Sequence, residues 1–212
     1  MSQKTDSYFK FLWASTNSHG VHSPFIFKLV TRCFYTKELS LGRYEYKDLN
    51  TGMSYSKAKL IYRLLRYFKP AKLFVLGENT GTITEVFRRM GEKANLQLWF
   101  FSPIAPIPGT IDLIYISGNE SDDVVSSLES VLQNTGNNTI CIIDNIHTSP
   151  QLQEVWESIK AHPGVKVTVD VYHLGLLFFR QEQARQHFII RPVKSFVLDA
   201  VLGAKKLWGL LH

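Results

Sequence analysis

From Lys72 onward, short continuous apolar runs alternate with longer amphipathic stretches. The runs at Lys72–Leu76, Leu96–Phe101, Ile111–Ile116, Thr139–Ile143, Val165–Val171 and Leu176–Arg180 read as strands. Between them, helical spacing predicts helices at Thr82–Met90, Asp122–Gln133 and Gln151–Ala161. Runs such as "LFVL" and "TICII" do not alternate with polar residues, so both faces of their sheet are covered, as in a parallel α/β sheet. The last two strands are joined by only about four residues around Gly175, which permits an antiparallel hairpin and no crossover. Helix starts are marked by a Thr82-x-x-Glu85 capping box, by Ser121 before two aspartates, and by Ser149-Pro150.

Before Lys72 the pattern is helical. Residues 7 to 37 carry helix periodicity broken at "NSHGVHSPF", where Ser23 and Pro24 supply an N-cap and a first-turn proline. Residues 38 to 55 are polar and turn-rich and read as a loop, and a helix at Lys57–Phe68 is stopped by Pro70. After Arg191, Val193, Phe196, Val197, Ala200, Val201, Ala204, Leu207, Trp208 and Leu211 form one apolar helical stripe. The chain thus divides into an N-terminal helical segment (1–70), a strand–helix domain (71–192) and a C-terminal amphipathic helix (193–212). That last stripe is suited to packing on the protein's own core or on the partner of a homodimer. Lys194, Lys205 and Lys206 beside it give a weaker case for contact with a membrane surface.

At 212 residues, with 45% apolar and 20% charged, the composition is that of an ordinary globular protein. No apolar run reaches 18 residues and the N-terminus has no signal-peptide pattern, so neither a membrane span nor export is expected. Cys33 and Cys141 stand in apolar contexts and read as buried thiols in a reducing compartment, the cytoplasm. The net charge of +6 is scattered along helix faces, and no zinc-finger or aromatic-basic signature accompanies it, so nucleic acid is not expected as a partner.

The segments "FVLGENTG", "IDLIYISGNE", "CIIDNIHTS" and "VTVDVYHLGLLFFRQEQARQHFIIR", in that order, resemble class I S-adenosylmethionine (SAM) dependent methyltransferases. The likeness is to a bacterial O-methyltransferase-like set with an N-terminal "HGVHSPF" segment, here His19 to Phe25, and it covers about residues 17 to 191. It implies a Rossmann-like methyltransferase sheet, mostly parallel with a C-terminal antiparallel hairpin, and methyl transfer from SAM to a small-molecule acceptor. The cofactor would lie at the carboxyl ends of the strands, contacting Gly77, Glu78, Gly81, Ser102 and Ser117.

Several of those positions depart from the pattern. Val75 replaces an acid before the first glycine, Ser102 the acid that takes the ribose hydroxyls, and Ser117 the acid after the next strand. A serine cannot accept two hydroxyl donors as a carboxylate does. Only nine residues, Ser102 to Thr110, lead to the next strand, too few for a helical crossover, which takes a dozen or more. Extended, they span about 30 Å, so a bare crossover is expected and the usual third strand is missing. Asp144-Asn145 resembles the aspartate-asparagine pair of metal-dependent enzymes. A hard cation would need a third oxygen from position 117, where serine is a poor substitute, so turn satisfaction is preferred and no metal is expected. Asp144 and His147 are the candidate bases, with Tyr172 and His173 near the same crevice; His22 is assigned to holding the N-terminal helix. The alternative to an enzyme is a non-catalytic binding or scaffold protein on the same fold.

Overall fold

The computed structural model describes residues 3–102, 109–118, 120–195 and 198. Helices α1 (Gln3–Ala14), α2 (Pro24–Leu29), α3 (Arg43–Asp48) and α4 (Tyr55–Phe68) precede the strand–helix region. Then follow β1 (Lys72–Gly77), α5 (Thr80–Lys93), β2 (Trp99–Phe101), β3 (Leu113–Ser117), α6 (Ser121–Val131), β4 (Ile140–Asp144) and α7 (Pro150–Ala161). The last strands are β5 (Val167–Asp170), β6 (Leu174–Phe178) and β7 (Gln186–Ile189).

These strands form one sheet in the order β2-β1-β3-β4-β6-β5-β7. Strand β6 runs antiparallel to both its neighbours, whereas every other pairing is parallel. This is the expected Rossmann-like outline with its antiparallel hairpin. Among the described residues β2 is an edge of the sheet, with no further strand outside it. Residues 103–108, most of the expected bare crossover, lie outside the described residues, as does nearly all of the 193–212 stripe.

The pleat divides the core in two. Leu73, Leu113, Tyr115 and Ile142 face the N-terminal helices, α4 and α5, while Phe74, Ile114, Cys141 and Ile143 face α6 and α7. The odd–even split follows from the two-residue strand period. Its helices explain why the strands carry no polar face. Cys33 and Cys141 are buried and unpaired.

Several local expectations are corrected. Glu85 does not return to Thr82; its carboxylate binds Arg88 and Arg89, and α5 begins earlier, behind Asn79 in the left-handed region (φ 52). Ser121 is the first residue of α6 rather than its cap, which is Glu120. Within the expected loop, α3 forms because Glu45 folds back to the Gly42 amide. Strand β2 starts only at Trp99, since the chain is still turning out of α5 through Asn95 (φ 59) and Leu96 N–H bonds Gly91 O. The hairpin turns at Val171–His173, with Tyr172 at φ 71, not at Gly175. Gly175 sits inside β6 against Trp156, and a Cβ there would fall 2.5 Å from the indole ring. Strand β7 was not expected: it is an edge strand with exposed Gln186 and His187, so it lacks the apolar run that marks the others.

Candidate functional site

The sequence-derived candidates gather at the carboxyl ends of the parallel strands, in three groups. The first is the turn after β1. Gly77 has φ 89, and a Cβ on it would lie 1.6 Å from the carbonyl oxygen of Ser117, so only glycine fits. Glu78 N–H donates to that same carbonyl at 3.0 Å. The Ser117 hydroxyl donates to the Leu76 carbonyl at 3.3 Å and also to that of Glu78. Gly77, Glu78 and Ser117 are therefore brought together, but by bonding one another. Gly81, in the first turn of α5, has open space where a side chain would be. Ser102 is exposed at the end of β2, the strand beside β1.

The second group surrounds Asp144 at the end of β4. Lys57, from α4, donates to both carboxylate oxygens at 2.7 and 2.9 Å and to Asn145 Oδ1 at 3.1 Å. The Tyr115 hydroxyl, fully buried on β3, donates to Asp144 Oδ2 at 2.7 Å. Burial first, and then the negative charge of Asp144, push the Tyr115 phenol well above its usual pKa, so it stays a donor. The Asp144 and Asn145 oxygens, considered above as metal ligands, hold an ammonium, and Ser117 is turned toward β1. Among the described residues no three His, Cys, Asp or Glu side chains are placed to bind a metal ion.

The third group lies at the end of β5. His147 Nε2 is 2.6 Å from Asp170 Oδ2, and Gln153 Nε2 is 3.0 Å from His147 Nδ1. With Gln153 donating, the neutral ring carries its proton on Nε2 and gives it to Asp170. Tyr172 stacks on the His147 ring at 5.3 Å, and its backbone N–H donates to Asp170 Oδ1. His173 is exposed in the hairpin turn, and its pKa is lowered by partial burial and then by the charge of Lys57. His22 belongs to none of these groups; it is exposed beside the cap of α2.

Four residues of these groups were not anticipated: Lys57, Tyr115, Gln153 and Asp170. Lys57 left a trace in the sequence. It occupies the third position of α4, where the helix dipole disfavours a cation, so a tertiary partner was to be looked for. Tyr115 and Asp170 read simply as strand residues.

No protein-family profile and no curated protein sequence matches this chain. Solved structures do show likeness. The O-methyltransferase from Bacillus cereus, in complex with SAH, is 14% identical, with 65% of this chain and 90% of that one covered at a TM-score of 0.44. A putative O-methyltransferase from Klebsiella pneumoniae is 13% identical (68% and 93% covered, TM-score 0.47). A methyltransferase from Geobacter sulfurreducens is 17% identical (67% and 92% covered, TM-score 0.47). Likeness at this level assigns neither a ligand nor an activity.

Proposed function

We propose that this chain is a SAM-dependent-methyltransferase-like protein that has exchanged transfer chemistry for internal pairing, and that it acts as a non-catalytic binding or scaffold protein. The observation that carries this reading is the grip of Lys57 on Asp144. A carboxylate whose two oxygens already accept from an ammonium and a phenol is a poor acceptor for a substrate proton. His147, the other candidate base, has both ring nitrogens engaged by Asp170 and Gln153.

The residues present do not fit SAM well. Ser102 offers no carboxylate to the ribose, and the Gly77–Glu78 backbone is bonded to Ser117 instead of facing outward. The buried free thiols of Cys33 and Cys141 support a reducing compartment, the cytoplasm. Among the described residues no helix is long and apolar enough to cross a membrane.

A second reading retains methyl transfer to a small acceptor, with SAM at Gly77, Glu78, Gly81, Ser102 and Ser117. It is favoured by the open space at Gly81 and by the exposed, neutral His173 as base. One measurement separates the two. A cofactor at 100-fold its dissociation constant adds about 2.7 kcal/mol of stability, which in a chain of this size raises the melting temperature by roughly 5–10 °C. The first reading expects less than about 1 °C with millimolar SAM or S-adenosylhomocysteine. A full shift, together with methyl transfer that is lost in His173→Gln, would replace it with the second. If only the ribose contact is lacking, Ser102→Asp restores the shift.

A further inference from the structure

A cleft of about 700 Å³ lies away from the β1 turn. It lies between α1 and α7, over the end of β5, and none of Gly77, Glu78, Gly81, Ser102 or Ser117 lines it. Its volume is in the range of small-molecule sites. Its floor is built from fixed side chains. His147 and Asp170 pair there, and Gln153 bridges His147 to the Ser7 hydroxyl at 3.2 Å, tying α7 to α1.

The lining has a chemical remainder once its internal pairs are removed. Lys160 pairs with Glu157 at 2.5 Å, and His147 with Asp170. What is left is one carboxylate, Asp6, one ammonium, Lys10, and one buried donor, Trp156 Nε1. Trp156 is 1% exposed, and among the described residues its indole N–H has no acceptor. The Cζ3–Cη2–Cε3 side of the ring lies against Gly175, and Trp156 also lines the cleft. A buried donor without an acceptor is destabilising, a deficit that a ligand oxygen removes. Asp6 and Lys10 are four residues apart on α1, so they share a face with their Cβ atoms about 5–6 Å apart. Phe11 and Ile189 add apolar surface.

We infer that this cleft binds a small zwitterion of the amino-acid class with an apolar side chain. Its carboxylate is taken by Lys10 and the Trp156 indole N–H, its ammonium by Asp6, and its side chain by Phe11 and Ile189. This is a site separate from the β1 turn. Strand β5 is four places from β1 in the sheet, about 19 Å at ~4.8 Å per strand, whereas group transfer needs reacting atoms about 3–3.5 Å apart. The inference does not depend on whether SAM binds.

The test uses the full chain with ¹⁵N-labelled tryptophan, following the indole N–H resonance that disappears in Trp156→Phe. L-leucine is titrated beside isovalerate, which lacks the ammonium, and isoamylamine, which lacks the carboxylate. The expected result is a saturable shift with L-leucine, at least about tenfold tighter than with either partial analogue. Asp6→Asn and Lys10→Gln, both at exposed positions, each weaken it by a similar factor while the melting temperature is kept. Absence of a saturable shift with L-leucine, or equal binding of all three compounds, overturns the inference.

Discussion

Replacing Lys57 by methionine keeps the aliphatic stem and removes only the charge, which isolates what the ammonium does. In the native protein the Lys57 and Asp144 side chains are 12% and 8% exposed. Without Lys57, Asp144 keeps the Tyr115 hydroxyl as a donor and loses its counter-charge. Breaking a buried pair from one side costs about 3–5 kcal/mol, because the remaining charge is stranded. The slight exposure of both groups places this case at the lower end, about 3 kcal/mol. For a chain of this length that lowers the melting temperature by about 6–12 °C. The assay is urea unfolding at neutral pH of Lys57→Met, Asp144→Asn and the double variant. The double variant should recover more than half of the loss, since neither charge is then stranded. A cost below about 1 kcal/mol for Lys57→Met, the worth of an exposed surface pair, would refute the view that this pair occupies the site.

Other expectations follow from the same geometry. Gly77→Ala, at φ 89 and against the Ser117 carbonyl, should cost at least about 3 kcal/mol. Gly81→Ala, in a helix and facing open space, should gain about 0.4–1 kcal/mol; chemical denaturation checks both. The pKa of His173 lies below its ordinary 6.5, through partial burial and then Lys57, so the unfolded chain binds the proton first. Its contribution to stability is complete above about pH 6.5 and is lost as the pH falls through the folded value. A His173→Gln variant should therefore lose stability less steeply between about pH 7 and 5, and NMR titration should show the imidazole pKa rising when Lys57 is replaced. Burial pushes the thiols of Cys33 and Cys141 well above the usual range. Ellman's reagent should label neither until the protein unfolds, and prompt stoichiometric labelling of the native state would contradict this.

The sequence by itself determined the sheet except for its edge strand β7. Continuous apolar strands alternating with capped helices leave a parallel α/β layer arrangement as the way to bury both strand faces, and the short connection after β5 forced β6 to be antiparallel. It determined Gly77 too, because a strand-to-helix turn calls for a residue free to take positive φ. These are local quantities: period, connection length and backbone freedom. The contacts within the site were decided only by the tertiary structure. Asp144 as a candidate base, or as half of a metal pair, was legible at the end of "CIID", but not that an ammonium 87 residues earlier would fill its coordination. His147 was a plausible base until folding set Asp170 and Gln153 on its two nitrogens. Whether a polar side chain is available for chemistry depends on what long-range packing places within about 3 Å of it, and no periodicity in the chain encodes that distance.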